Sequence, residues 1–149
     1  MPAMLSADAK GVYVIAATPF TEAGAIDFAS IDRLVEFYLG CGVDGMTILG
    51  VMGEFQKLSE SETLAVTKRF LEATAGRIPV VVGVSNPGND QMVRLAGGAM
   101  DAGAAGVMVM PVSGLKTDEA VTGYMSGALN ALRRSIPVCV QDYPQLSGV

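Results

Sequence analysis

Apolar residues gather in five short runs along the chain: Val12 to Thr18, Gly45 to Leu49, Pro79 to Val84, Gly106 to Met110 and Pro137 to Gln141. Within each run they stand side by side instead of alternating with polar residues. Strands with one wet face alternate. Unbroken apolar runs suit strands covered on both faces, as in a parallel sheet.

Between these runs the apolar spacing changes to that of helices. Ile31, Leu34, Val35 and Tyr38 mark one helical face, which opens near Asp27 and ends near Gly40 or Gly42. Ser59-Glu60-Ser61-Glu62 has the form of a capping box, Ser at the cap and Glu three residues on, ahead of a helix through Leu64, Val66, Phe70 and Leu71 to Gly76. A third helix is predicted from Asn89 or Asp90 to Gly103. A fourth follows Thr117 and ends near Arg133 and Arg134, whose charge suits a helix C-terminus. The strand starts recur every 27–34 residues, so each helix is read as a crossover to a parallel neighbour.

A doubly wound sheet and part of a (β/α)8 barrel both fit this order. The predicted choice between them lies at the C-terminus. A doubly wound domain covers its last strand with a helix, and Tyr143 to Val149 leaves no room for one. The expectation is therefore residues 1–149 as the N-terminal part of a single (β/α)8 barrel, carrying strands 1–5 and helices 1–4. A full barrel takes about 250 residues.

Composition narrows the function. The net charge of −5 and the lack of a basic run argue against nucleic acid or an anionic membrane as partner. No apolar stretch is long enough to span a bilayer, and Met1 to Lys10 has no apolar core of a secretion signal, which points to the cytoplasm. Cys41 and Cys139 are expected to be reduced, buried thiols. The absence of histidine removes His-based triads and the usual zinc sites, and the methionines at 46, 52, 108 and 110 are expected in core and pocket wall. No metal or other cofactor is implied.

In a parallel barrel, chemistry sits at the C-terminal ends of the strands. The informative segment there is Gly50-Val51-Met52-Gly53-Glu54, two glycines around a tight turn whose backbone N–H groups can face an anion such as a carboxylate. A plain strand-to-helix turn that needs glycine accounts for the same residues. Thr18 is expected to hold the first loop, and Glu54 to bond backbone at the start of a helix.

Several pieces carry a resemblance: Ala17-Thr18-Pro19-Phe20, Gly24-Ala25-Ile26-Asp27, Gly50-x-x-Gly53-Glu54, Leu58-Ser59-x-x-Glu62, Gly76-Arg77-Ile78-Pro79-Val80, Ala104-Ala105-Gly106, Pro137 and Pro144. Together, in order and at the family's spacing, they resemble the dihydrodipicolinate synthase and N-acetylneuraminate lyase family. The resemblance implies a (β/α)8 class I aldolase fold, usually a homotetramer. A sixth-strand lysine there forms a Schiff base with pyruvate or another 2-keto acid. That lysine would lie beyond Val149, since Lys10, Lys57, Lys68 and Lys116 do not end strands. The 149 residues alone are thus expected to be inactive.

The resemblance also assigns site residues. Gly50, Val51, Met52 and Gly53, with Thr18, fall on the substrate-binding positions. Ser113 and Gln141 fall where family members carry tyrosines of a proton relay, and Leu146 falls where synthases carry an arginine. Tyr143, two residues past Gln141, is the phenol that could take over the displaced role. Family members usually carry two hydroxyl residues at Val51 and Met52. The loss of these hydroxyls points to an aldolase or dehydratase acting on a 2-keto acid or keto-deoxy sugar acid, more than to the synthase reaction. Two other readings stay open: a non-catalytic half-barrel that pairs with its own copies, and a doubly wound anion binder, which no Gly-x-Gly-x-x-Gly or Walker pattern supports.

Overall fold

The computed structural model describes residues 4–147. Met1 to Ala3 of the N-terminal stretch, Gly148, Val149 and the Leu146 side chain lie outside the described residues.

Five parallel strands, β1 (Tyr13–Ile15), β2 (Gly45–Ile48), β3 (Val80–Gly83), β4 (Gly106–Val109) and β5 (Val138–Val140), form one sheet in the order β1-β2-β3-β4-β5. Four helices connect them: α1 (Phe28–Gly40), α2 (Glu60–Thr74), α3 (Asn89–Asp101) and α4 (Asp118–Ala131). The sequential strand order decides the architecture. Crossovers of one hand between successive neighbours put every helix on the same face. A doubly wound sheet must reverse its order somewhere to cover both faces. This sheet never reverses, so it is the first part of a (β/α)8 barrel.

The residues make these elements for local reasons. Asp27 caps α1 by accepting a hydrogen bond from the Ser30 N–H at 2.9 Å. The predicted capping box forms at α2: Ser59 Oγ accepts from the Glu62 N–H at 3.2 Å, and the Glu62 carboxylate accepts from the Ser59 N–H at 2.8 Å. Thr117 caps α4 through the Ala120 N–H. One face of each strand and the inner faces of the helices share a single core, with Ile31, Val35, Met46, Ile48, Val66, Phe70, Val82 and Leu95 at its centre. Helix-to-helix ion pairs, Arg69 with Asp32 and Arg94 with Glu60, brace its outside, partly in solvent and each worth little.

Sequence and structure differ in five places. The apolar runs do predict strands buried on both faces for β2, β3 and β4, but β1 is half-buried and β5 largely exposed. The two outer strands have a neighbour on one side only. Cys41 and Cys139 are free, as expected, but both are exposed. Cys41 follows the last turn of α1 and Cys139 sits on the edge strand, so neither reaches the core. Helix α4 stops at Ala131, with Leu132 extended as its cap, which leaves Arg133 and Arg134 beyond the helix end. A helical turn, α5 (Pro144–Ser147), follows β5 where none was predicted. Proline fits the first position of a helix because its missing N–H has no partner there. Finally, Glu54 does not bond backbone at a helix start. It takes a left-handed backbone (φ 54°) and pairs with Lys57 at 2.5 Å.

Candidate active site

The loops that follow the strands converge at one end of the sheet. The turn after β2 is the most tightly built of them. Leu49 has φ 56° and Glu54 φ 54°, so non-glycine residues in the left-handed region stand on either side of Gly50 to Gly53. Such residues cost energy and persist where surroundings over-determine them. Here the surroundings are backbone. A Cβ on Gly53 would lie 2.9 Å from the Leu49 Cα and 3.3 Å from the Ala16 carbonyl. A Cβ on Gly83, at the end of β3, would lie 2.2 Å from the Leu49 carbonyl. Closeness to backbone thus requires glycine at 53 and 83, whereas a Cβ on Gly50 would meet only side chains, at 3.4 Å or more.

Thr18 completes this corner. It is buried, and its hydroxyl donates to the Gly53 carbonyl at 2.7 Å, tying the loop after β1 to the turn after β2. The Glu54 N–H donates to the Val51 carbonyl at 3.0 Å and closes the turn. Among the described residues, the N–H groups of Val51, Met52 and Gly53 donate to no backbone or side-chain acceptor. Met52 is 59% exposed over this turn, while Gly53 is buried beneath it.

The register places the remaining candidates. Gly83, Met108 and Cys139 stand level across β3, β4 and β5. Two residues further on, at the strand ends, the row becomes Ser85, Met110 and Gln141. Two hydrogen bonds hold it: the Met110 N–H donates to Ser85 Oγ at 2.9 Å, and the Gln141 N–H donates to the Val109 carbonyl at 2.9 Å. Ser85 and Met110 are buried. Gln141 is half-buried, and its Oε1 is shut away from water with no hydrogen-bond partner among the described residues. Tyr143, beyond it, is 39% exposed.

Ser113 lies in the loop after β4 and helps line a cleft of about 270 Å³ with Phe55, Ser85, Asn86 and Val112. Val51 faces an adjoining groove of about 240 Å³ with Glu54, Phe55 and Lys57. The structure therefore gathers Thr18 and Gly50 to Gly53 into one corner. Gln141 stands across the sheet from it, and Ser113 lies in a cleft that adjoins the Val51 groove through Phe55 and Gln56.

Three contributors escaped the sequence reading. Ser85 fixes the start of the loop after β4, and nothing in Val84-Ser85-Asn86 announces that role. Gly83 could have been found, because a glycine ending an apolar strand often marks close backbone approach. Tyr124 on α4 donates from its phenol to the Asn86 carbonyl at 3.1 Å, which ties α4 to the loop after β3. Burial pushes the pKa of that phenol up. Among the described residues no group of three potential metal ligands is found, and no helix is long and apolar enough to cross a membrane.

Comparison with known proteins agrees with this architecture. Residues 8–149 match the Dihydrodipicolinate synthetase family. A 4-hydroxy-tetrahydrodipicolinate synthase from Sorangium cellulosum is 42% identical over 68% of this chain and 34% of its own length. An uncharacterized DapA-like lyase of Rhizobium meliloti is 32% identical over 97% of this chain and 48% of its own. The crystal structure of dihydrodipicolinate synthase from Rhodopseudomonas palustris superposes with a TM-score of 0.91 at 45% identity, covering 98% of this chain and 48% of that one. The chain thus spans about half, or less, of the length of the relatives it matches. Sequence motifs, strand order and these matches agree: the chain belongs to the dihydrodipicolinate synthetase family, a family of lyases.

Proposed function

We propose that the protein, in its intact form, is a lyase of the aldolase or dehydratase type acting on a 2-keto acid through a lysine Schiff base. The observation that carries this reading is the corner made by Thr18 and Gly50 to Gly53. Its unpartnered N–H groups suit a carboxylate, the group every 2-keto acid carries beside its reacting carbon. A lysine amine would add to that carbon and expel water, and the resulting iminium would draw electrons from the bond that breaks. Lys10, Lys57, Lys68 and Lys116 are all exposed, and none follows directly on a strand, so the nucleophile is assigned to a residue outside the 149.

The mouth favours an aldolase or dehydratase over the synthase. Val51 and Met52 offer no hydroxyl, and Ser113 and Gln141 stand where the resemblance places phenols. Glutamine has no hydroxyl, and the serine hydroxyl is far less acidic than a phenol, so the pair makes a poorer proton relay than two phenols. Tyr143 is the phenol assigned to proton transfer. Among the relatives, a protein of Escherichia coli named probable 2-dehydro-3-deoxy-D-pentonate aldolase is 27% identical over 93% of this chain, which supports the sugar-acid side of this reading.

The test is trapping. The full-length protein, treated with pyruvate and borohydride, should gain the mass of a reduced adduct, and the 149-residue chain alone should not. An adduct on the short chain would refute the assignment of the nucleophile. No adduct on the full-length protein would refute the Schiff base.

A second reading, association with other copies of the chain, is favoured by one observation: β5 is an edge strand with Val140 54% exposed. Light scattering on the chain decides it, and a monomer would refute it.

A further inference from the structure

We propose that Leu49 is a positioning residue for the carboxylate corner. Its buried side chain holds its backbone in the left-handed region, and that backbone sets the pose of Gly50 to Gly53. The inference rests on the lyase reading above and deepens it, since Leu49 acts through the turn and touches no substrate.

Leu49 breaks two local rules. Left-handed backbone brings the Cβ of an L residue close to the following carbonyl, whereas glycine adopts it freely. Leu49 has φ 56°, while Gly50, Gly53 and Gly83 have no positive φ. The strain thus falls on the leucine, with glycines close by that could have carried it. The second rule is strand alternation, by which successive side chains point to opposite faces. On β3 and just past it, Val80, Val82 and Val84 join the core shared with the helices, and Val81 does not. On β2, Met46 and Ile48 join it, so regular alternation would send Leu49 to the other face. Leu49 joins the same core as Ile48 instead and is 1% exposed. The hand of its backbone and the burial of its side chain are therefore one choice. Burying a whole leucine side chain offsets the strain of the left-handed region.

The turn packs on the backbone held in this way. A Cβ on Gly53 would lie 2.9 Å from both the N and the Cα of Leu49, and one on Gly83 would lie 2.2 Å from its carbonyl. Leu49 is thus clamped between the end of β3 and the far side of the turn. A shift of its backbone would move Gly53, whose carbonyl receives the Thr18 hydroxyl. The sign of φ also changes at each end of the turn, from Leu49 to Gly50 and from Gly53 to Glu54. Turns of changing hand gather successive N–H groups around a concavity that suits an anion. Of the two left-handed residues, Glu54 is partly exposed and pairs with Lys57, so no core contact pins its side chain. Leu49 is the anchored end. All these contacts lie within the described residues and away from the free sides of β1 and β5.

The test uses the full-length protein with pyruvate and borohydride. It reads the pyruvate concentration that gives half-maximal adduct and the adduct formed at saturation. Leu49→Gly takes the left-handed backbone without strain but unpins it. Leu49→Ala keeps the strain and loses the anchor. In urea, Leu49→Gly should unfold at the higher concentration of the two. Its half-saturating pyruvate should nevertheless be the highest, about tenfold above the unmodified protein, because the freed backbone must be ordered on binding. Adduct at saturation should be unchanged. Leu49→Met keeps an apolar side chain of similar size and should stay within about twofold of the unmodified protein. A side chain needed only for folding would give capture that follows stability, with Leu49→Gly better than Leu49→Ala, and that result overturns the inference. So does a half-saturation in Leu49→Gly equal to that of the unmodified protein, a loss of adduct at saturation with half-saturation unchanged, or Leu49→Gly unfolding before Leu49→Ala. If both truncated variants fail to fold, Leu49→Ile against Leu49→Met decides. Both preserve burial, but a β-branched residue resists the left-handed region, so half-saturation should rise in Leu49→Ile alone, and equal values overturn the inference. Each of these results leaves adduct formation by the unmodified protein intact and the lyase reading with it. No adduct on the unmodified protein overturns both.

Discussion

The turn after β2 and the stretch after β5 face the same end of the sheet, yet they are held by different means. Leu49 to Glu54 is fixed by backbone against backbone: two left-handed residues, two glycines in close contact and the Thr18 hydroxyl on the Gly53 carbonyl. The stretch around Gln141 has a strand neighbour on one side only, where the Gln141 N–H donates to the Val109 carbonyl, and Val140 and Tyr143 are partly exposed. The difference teaches that the glycine turn, the part proposed to face a carboxylate, is formed in advance, mostly by backbone packing with the Thr18 hydroxyl tying it down. The β5 part takes its final shape from whatever lies on its free side.

The sharpest way to break the contrast is Gly83→Ala. Its methyl would start 2.2 Å from the Leu49 carbonyl, and backbone cannot step aside as a flexible side chain can. We expect a loss of about 3 kcal/mol or more in urea unfolding of the chain. A loss under about 1 kcal/mol would mean the turn is softer than the geometry implies. Thr18→Val comes next. It keeps the shape and removes the donor, leaving the buried Gly53 carbonyl unpaired, for an expected loss of about 2 kcal/mol. The same change should weaken keto acid trapping in the full-length protein, since it frees the loop after β1 from the turn.

Further out, α2 starts where the turn ends, and its capping box anchors that exit. Ser59→Ala should cost about 1 kcal/mol. Glu62→Gln isolates the charge. Hydrogen bonds from the Ser59 backbone and hydroxyl hold the Glu62 carboxyl below its ordinary value of 4.5. A carboxylate with a depressed folded pKa contributes stability that is present above 4.5 and lost as pH falls through the folded value. The gap between the parent and Glu62→Gln should therefore be open at pH 7 and narrow as pH falls below 4.5. A gap that widens toward acid would contradict the capping geometry.

The same contrast explains what the sequence disclosed. The repeat of apolar runs and helical faces was legible because strand and helix periods differ, and Ser59 and Glu62 were legible because the capping box is local. The glycine turn was legible as a place, but not as a mechanism: Gly53 and Gly83 are demanded by atoms of Leu49 and Ala16 that only the folded sheet brings near. Ser85 was hidden for the same reason, its partner being Met110, just past the end of the next strand of the sheet. The cysteines were misjudged because residue type predicts burial on average. Cys139 sits on an edge strand, where the average fails. Strand order, which settled the barrel, is not written in any local pattern at all.

The smallest effect tests the other side of the contrast. Val140→Ala removes two methyl groups from a residue that is 54% exposed on the edge strand. About half of the Val140 surface already faces water, so little apolar area is lost, and the expected cost in the 149-residue chain is within about 0.5 kcal/mol. The value should also be the same at low and high protein concentration. A cost above about 1 kcal/mol that grows with concentration would show that β5 is covered in solution by a second chain. The β5 region would then be packed after all, through contacts between molecules instead of within one, and the two ends of the site would differ in where their packing comes from and not in how much of it they have.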